Sequence, residues 1–320
     1  MRVKNVSHGE LRAAWSRAPE ATFEERGKRV KPPPFEYHNP QTLEQALRQL
    51  AELDNARLLA GGQSLMPMLN LRLAAPQHLI DLGGVEGLSH ITEEGAAIAI
   101  GAMTAQRTIE FSPLVRRRLP LLSEAILSVG HRQTRNRGTI GGSLCHLDPA
   151  AELPLVAMAF EATVELSSAA GTRTLPMADF AVDFMTPALA AGEILTAIRF
   201  RPWPEGHGAA FIEFARRKGD FAIVAVAAML DLGADGRISR AALAVGGVGP
   251  LPVRVQDAEA ILVGGVPDAA LFARAAVPCA AIEPLTDPHA PPWYRRRVAA
   301  ALARRALQAA FERAGGKAHG

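Results

Sequence analysis

Two glycine-rich turns constrain the fold of this 320-residue chain more than any other feature of its sequence. They are the segments LLAGGQSL (residues 58–65) and GTIGGS (residues 138–143), in which a Gly-Gly pair follows an apolar or extended stretch and precedes a small hydroxyl residue. Glycine permits positive φ angles and a close approach to a ligand, and successive N–H groups in such a turn suit phosphate oxygens. Two turns in separate parts of the chain could hold the two phosphates of a dinucleotide between them.

Either turn taken singly has a simpler interpretation. The chain contains 28 glycines, so one Gly-Gly pair more often marks a structural hairpin or the end of a strand. Neither turn is a P-loop, because no Gly-Lys-Ser/Thr follows it, and neither has the Gly-x-Gly-x-x-Gly spacing of a Rossmann turn. The dinucleotide hypothesis therefore depends on both turns together.

Composition indicates a folded chain of roughly two domains and excludes several function classes. Hydrophobic residues make up 48% of the chain and charged residues 21%, which is enough to form a sizeable core. The net charge is only +3, so nothing indicates a nucleic-acid groove or a polybasic membrane surface. The two cysteines, Cys145 and Cys279, are too few for a disulfide framework or a cysteine-only iron–sulfur or zinc centre.

The sequence shows no candidate membrane or targeting segment. Its longest apolar run, residues 221–230, is shorter than the ~20 residues of a spanning helix. The first 30 residues lack the apolar core of a signal peptide. We therefore expect a cytoplasmic protein without a membrane span, and we expect residues 1–30 to be a flexible extension that is dispensable or wrongly assigned to the chain.

Residues 31–206 predict two α/β units that meet near residue 85. In the first, Thr42 and Gln45 form a capping box for a helix to about Leu53, and strands follow at 57–60 and 79–82. The second is predicted to contain a strand around 98–100, a helix at 120–129, a hairpin at 163–175 and a strand at 194–200.

A cluster of proline and glycine at residues 202–208 predicts a domain boundary. Beyond it, extended stretches at 211–215, 223–232 and 241–245 predict a small antiparallel sheet with a turn at 233–236. Helical patterns at 257–262, 268–277 and 294–313 should back this sheet.

Five motifs, in order, resemble one family. AGGQSLMPMLNLRLA (60–74) and HRQTRNRGTIGGSLCHLDPAAELP (131–154) resemble the two FAD loops of the medium, flavin-carrying subunit of molybdenum hydroxylases, the xanthine dehydrogenase and carbon monoxide dehydrogenase family. ARRKGDFAIVAVAA (215–228), GGVGPLPVR (246–254) and YRRRVAAALARRAL (294–307) resemble later landmarks of the same subunit. The resemblance runs in register from Lys31 to about Ala314.

The resemblance implies an α+β fold: a PCMH-type, vanillyl-alcohol-oxidase-like FAD domain of two α/β subdomains (about 31–85 and 86–206), followed by a C-terminal domain (207–315). FAD would lie between the two subdomains, with its pyrophosphate held by the two glycine turns. The implied cofactor contacts are Leu58, Leu59, Ala60, Gly61, Gly62, Gln63, Ser64, Leu65, Thr104, Val129, Thr139, Ile140, Gly141, Gly142, Ser143, Glu152 and Leu195.

Some positions depart from the family pattern. Glu152 stands where the family has an aspartate, and its side chain is one methylene longer. The family often has a lysine before the ARRKGDFA segment, where this chain has Phe211, Ile212 and Glu213, so that role is not transferred. Gln63 has no nucleophilic side chain, which excludes covalent attachment through it and makes a non-covalent FAD the expected cofactor.

Other residues have competing interpretations. Asp220 could orient the flavin or cap a turn, and Cys145 is better explained as a small buried apolar residue. His131 and His146 have no Cys or His partner at metal spacing, so we interpret them as polar contacts and predict no metal ligands. The runs 116–118 and 295–297, each of three arginines, predict solvated helix faces, although the second could face a partner subunit.

By this resemblance the chain is the electron-transfer subunit of an oxidoreductase and has no catalytic residues of its own. Substrate would be oxidised at molybdopterin in a large subunit, and two [2Fe-2S] clusters in a small subunit would pass electrons to FAD, in a dimer of heterotrimers. The alternatives are a self-sufficient flavoenzyme, such as an alcohol oxidase or an enolpyruvyl reductase on a related fold, and a non-enzymatic scaffold that has lost FAD.

Overall fold

The computed structural model describes residues 32–315, so the expected N-terminal extension (residues 1–30) lies outside the described residues. The first sheet is parallel, with its strands in the order β1–β3–β2. Its elements are β1 (Glu36–His38), α1 (Leu43–Glu52), β2 (Ala56–Leu59), α2 (Leu65–Asn70) and β3 (His78–Asp81). Helix α1 packs Ala46 and Leu47 against Ile80 of β3, which gives this unit its own small core.

The capping box at the start of α1 is confirmed in one of its two bonds. Thr42 Oγ1 accepts the N–H of Gln45 at 3.3 Å. The Gln45 side chain reaches back one residue further than expected, because its Oε1 accepts the N–H of Gln41 at 2.9 Å. The Gln45 N–H is one of the donors that the first turn of a helix leaves unpaired, whereas Gln41 lies just before the N-cap.

The second sheet is antiparallel, with its strands in the order β4–β5–β10–β6–β7. Its strands are β4 (Ile91–Glu94), β5 (Ala97–Gly101), β6 (Thr163–Ser168), β7 (Gly171–Pro176) and β10 (Ile194–Phe200). The predicted hairpin and the strand at 194–200 are both confirmed. A short pair, β8 (Ala181–Asp183) and β9 (Thr186–Pro187), lies between β7 and β10 along the chain.

Seven helices of the described chain lie between β5 and β8 along the sequence. They are α3 (Gln106–Phe111), α4 (Pro113–Arg118), α5 (Pro120–Ala125), α6 (Arg132–Arg137), α7 (Ile140–His146), α8 (Glu152–Ala159) and α9 (Met177–Phe180). The helix predicted over 120–129 ends at Ala125, because Leu127 and Ser128 bond to carbonyls three residues back. Gly130 then turns the chain with a φ of 45°.

The third sheet is antiparallel, in the order β11–β12–β13–β14, and helices cover it as predicted. Its elements are β11 (Gly208–Phe214), β12 (Val224–Leu232), β13 (Ile238–Gly246), β14 (Val253–Arg254), α10 (Gln256–Leu262), α11 (Ala269–Ala275) and α12 (Pro292–Arg313). Helix α12 packs across β11 and β12. Every residue of α8 is buried, since α8 also packs against β12 and β13.

The expectation of a solvated face at residues 295–297 is wrong for Arg295, which is only 4% exposed. Its guanidinium donates to the carbonyl oxygens of Ile223 (2.6 Å) and Gly247, and to Oδ2 of Asp287 at 2.6 Å. Arg295 therefore ties α12 to the end of the β12–β13 pair where β12 begins and β13 finishes, whereas Arg297 is exposed. No helix between residues 32 and 315 has the length and hydropathy needed to cross a membrane.

Candidate functional site

The first glycine turn presents a row of unpaired backbone donors. It leads from the carboxyl end of β2 into α2, and Gly62 makes the turn with a φ of 72°. The five consecutive amides of residues 61–65 donate to no acceptor within residues 32–315. Ser64, at the N-cap of α2, makes no side-chain capping bond either, so its hydroxyl is also available. Such a run of N–H groups is an anion-binding concavity.

The second glycine turn differs, and the expected cradle of unpaired amides is not present there. Thr139 caps α7, and its Oγ1 accepts the N–H of Gly142 at 3.0 Å. The amides of Ile140 and Gly141 donate to the carbonyls of Thr104 and Ala102, and the Ser143 amide donates to the Thr139 carbonyl. The amides of Ile140 and Gly141 thus join α7 to the segment that follows β5, and those of Gly142 and Ser143 are used within the start of α7.

The two turns nevertheless lie in direct contact. A Cβ at Gly61 would overlap the carbonyl oxygen of Arg137 and would lie 2.8 Å from the Cα of Gly138. A Cβ at Gly142 would lie 3.3 Å from the Cβ of Ala60. The absence of side chains at Gly61 and Gly142 lets the two backbones meet, so the prediction that the turns share one place in the fold is confirmed.

Thr104, predicted to contact the cofactor, uses its hydroxyl within the chain. Its side chain is fully buried, donates to the carbonyl of His90 at 2.9 Å and accepts the N–H of His90 at 3.1 Å. Thr104 also lines a cavity of about 430 Å³ that includes Thr108 and Phe111. Its carbonyl accepts the N–H of Ile140, which places Thr104 beside the second turn.

Three of the predicted apolar contacts, Val129, Leu195 and Leu58, belong to hydrophobic cores. Val129 and Leu195 are buried in the large core, and Leu58 packs into the core of the first sheet. The backbone around Val129 is fixed by Arg135, which donates to the Val129 carbonyl at 3.0 Å and to Glu110 Oε2 at 2.9 Å. Any contact of these side chains with a ligand would be made from the edge of a packed core.

Glu152 begins α8 and is a buried carboxyl without an ion-pair partner among the described residues. Burial raises its pKa to about 8, and the nearby carboxyls of Glu213 and Asp148 act in the same direction. Burial also raises the pKa of Glu213 to about 7, against a hydrogen bond from Ser128. Glu213 is not among the residues predicted to contact the cofactor, although a carboxyl inside the otherwise apolar strand β11 is a visible signal.

Four further residues occupy the surroundings of the second turn. Cys145 is half-buried and packs against the large core, rather than being fully buried as expected, and desolvation raises the pKa of its thiol to about 12. Burial lowers the pKa of His146, although Asp148 opposes this. The His131 ring lies against Gly219, where a Cβ would come within 2.6 Å of Nδ1, and the neighbouring Asp220 is exposed.

Two family models match consecutive parts of this fold. The FAD binding domain in molybdopterin dehydrogenase matches residues 33–203, and the CO dehydrogenase flavoprotein C-terminal domain matches residues 209–310. The chain belongs to the FAD-carrying medium subunits of the molybdenum hydroxylases. It is a subunit of a molybdopterin-dependent oxidoreductase, and its cofactor is FAD.

The chain is similar to medium subunits of known enzymes over nearly their whole length. The chain is 41% identical over 289 residues to the 6-hydroxypseudooxynicotine dehydrogenase complex subunit alpha of Paenarthrobacter nicotinovorans, covering 89% of this chain and 97% of that one. It is 36% identical to the carbon monoxide dehydrogenase medium chain of Hydrogenophaga pseudoflava, covering 88% and 99%. A structure of carbon monoxide dehydrogenase from that organism has a TM-score of 0.86 at 38% identity, covering 88% and 99%.

The residues of this medium subunit fit FAD at the first turn. Five adjacent amides and a hydroxyl without partners among the described residues supply the donors that a pyrophosphate needs. Side chains at Gly61 and Gly142 would occupy the place where the turns meet. The second turn lies against the first and forms the facing wall.

Proposed function

We propose that this chain is the flavin-carrying electron-transfer subunit of a molybdenum hydroxylase, receiving electrons from [2Fe-2S] clusters of a partner subunit and delivering them to an external acceptor. The observation that supports this most directly is the row of unpaired amides at residues 61–65, in contact with the second glycine turn. Bound FAD supplies the redox chemistry, and the protein binds, orients and tunes it. Nothing in the described site forms a nucleophile–base pair for bond-breaking chemistry.

In this proposal the two turns have different roles. The amides of residues 61–65 bind the pyrophosphate, and the second turn, residues 139–143, closes the site from the other subdomain. The remaining proposed contacts are those named from the resemblance, with Thr104, Val129 and Leu195 acting from the backbone or the edge of the core. We take residues 31–206 as the FAD domain and 207–315 as the C-terminal domain.

Glu152 would act in the site as a neutral carboxylic acid. With a pKa raised to about 8 by burial, it holds its proton at neutral pH. A protonated carboxyl donates a hydrogen bond, which a carboxylate cannot do. We therefore propose that Glu152 donates to an acceptor atom of the cofactor.

The partners follow from what this chain lacks and from the names of its relatives. Its two cysteines cannot ligate two [2Fe-2S] clusters, so the clusters must lie on another chain. The relatives are named as medium chains or as a subunit of a dehydrogenase complex. We propose that a molybdopterin-binding large subunit and an iron–sulfur small subunit complete a heterotrimer, two of which form the dimer.

Co-expression with the neighbouring large and small subunits tests the proposal. The isolated chain should carry FAD, seen as the visible absorbance of oxidised flavin, and should oxidise no hydroxylase substrate by itself. The complex should bleach the flavin band when substrate is added. A colourless chain that stays colourless with excess FAD would refute flavin binding, and turnover by the isolated chain would favour a self-sufficient oxidoreductase instead.

A further inference from the structure

Three potential metal ligands converge on one face of the first sheet, away from the glycine turns. Glu36 and His38 are two residues apart in β1, so both side chains project from the same face. His78, the first residue of β3, pairs directly with Glu36 in the parallel ladder and shares that face. One carboxylate and two imidazoles from two strands therefore meet, and none of them belongs to the proposed FAD contacts.

The ligand atoms already have the separations that a small cation requires. His38 Nε2 lies 3.1 Å from His78 Nδ1, and His78 Nδ1 lies 3.4 Å from Glu36 Oε2. The three ligand atoms all lie within 4.8 Å of one another. In a tetrahedral zinc site with bonds of ~2.0–2.2 Å, neighbouring ligand atoms are about 3.3–3.6 Å apart. Two of the three separations come close to this value before any ion is present.

The donor set also indicates which cation would bind. Imidazole and carboxylate ligands suit zinc and neighbouring divalent transition metals, whereas magnesium and calcium prefer oxygen ligands alone. Two histidines and one glutamate leave a fourth position for water, as in open zinc sites. His38 and His78 are half-buried and held by strand pairing, and only the exposed Glu36 must be ordered on binding.

We propose that Glu36, His38 and His78 form a binding site for one divalent transition metal ion, with zinc as the representative ion. The bound ion links β1 to β3. Strand β3 lies at the centre of the first sheet, between β1 and β2. A metal ion that joins β1 to β3 therefore stabilises the sheet that carries the first glycine turn. The site is independent of the flavin, because its ligands lie on the strands and not in the turns.

Titration of the untagged full-length chain with zinc tests the proposal. After chelator treatment and desalting, calorimetric titration should show that each chain binds one zinc ion. The thermal unfolding temperature of the chain should rise when zinc is added. His38→Gln and His78→Gln should each weaken binding by at least ~10-fold, because each removes one of three ligands. His289→Gln, at an exposed histidine outside the cluster, should bind zinc like the parent chain.

Two further measurements keep the test decisive if a histidine variant folds poorly. Glu36→Gln changes an exposed side chain without changing its size and should still weaken zinc binding. Cobalt(II) in place of zinc should give the intense visible absorption of a four-coordinate ion, and Glu36→Gln should alter it. No zinc binding by the parent chain, or binding that all three ligand variants leave unchanged, would overturn the proposal, whatever the FAD content.

Discussion

The contact between the two glycine turns makes Gly61→Ala the sharpest test of the flavin site. The new Cβ would lie 2.7 Å from the Arg137 carbonyl carbon and 2.8 Å from the Gly138 Cα. Real Cβ atoms essentially never approach other heavy atoms below 3.0 Å, and the atoms opposing this one are backbone, which cannot rotate away. The turns must therefore separate, and the unpaired amides of residues 61–65 must shift relative to the second turn.

The size of the effect follows from the cost of overpacking. Inserting a methyl group into a filled contact costs ~1–3 kcal/mol. If the turns must meet for FAD to bind, that cost falls on the binding equilibrium, and at ~1.4 kcal/mol per tenfold it weakens FAD binding by about 5- to 150-fold. Fluorescence titration of the flavin-free chain with FAD measures this dissociation constant directly.

Gly95→Ala is the matched control for Gly61→Ala. Gly95 lies in the β4–β5 hairpin turn with a φ of 60°, and nothing lies within 4 Å of its Cβ position. Alanine there introduces left-handed strain without touching the glycine turns, so it should lower the unfolding temperature and leave FAD affinity unchanged. Parent-like FAD affinity in Gly61→Ala, or equal losses in both variants, would refute the argument that the contact between turns shapes the flavin site.

Three further substitutions test other parts of the structure. Burial raises the pKa of Glu152 from 4.5 to about 8, so between these values the unfolded chain is ionised while the folded chain keeps the proton. Stability of the flavin-free chain should therefore fall as pH rises through this window, and Glu152→Gln should make that fall smaller in thermal unfolding measured against pH. The fall that remains belongs to Glu213, whose pKa burial raises to about 7. Arg295→Met should cost ~3–5 kcal/mol in urea unfolding, because it removes the counter-ion of Asp287 and leaves two buried carbonyls without their donor. Arg297→Met should cost less than ~0.5 kcal/mol. Cys145→Ala should retain FAD, and the native Cys145 thiol should resist a thiol reagent at pH 8 in the folded chain, because burial raises its pKa to about 12.

Most of the fold could be predicted because its elements repeat simple local patterns. The apolar alternation along 194–200 and the turn residues 233–236 each identify their structure without reference to the rest of the chain. The helix over 120–129 was predicted too long, since apolar spacing continues past Ala125 while the hydrogen bonding tightens before Gly130. Periodicity locates an element but does not fix where its hydrogen-bond ladder ends.

Arg295 shows what a local pattern cannot supply. Three adjacent arginines on a helix are typical of a solvated face, and Arg297 fits that expectation. Arg295 is buried because carbonyls of Ile223 and Gly247, distant in sequence, lie beside α12 and need a donor. The Glu36, His38 and His78 cluster was missed for the same reason, since the pairing of β1 with β3 places the third ligand. Only the Glu-x-His alternation in β1 was visible beforehand.

The same limit explains why two similar glycine turns acquire different roles. Both sequences show a Gly-Gly pair and a small hydroxyl residue, and nothing local to either shows whether its amides are already used. At the second turn, the carbonyls of Ala102 and Thr104 lie against the start of α7 and accept its N–H groups. At the first, no carbonyl of the described chain reaches residues 61–65. Substitutions in the first turn should therefore weaken phosphate binding directly, whereas those in the second should act through the packing of α7 against the strand end.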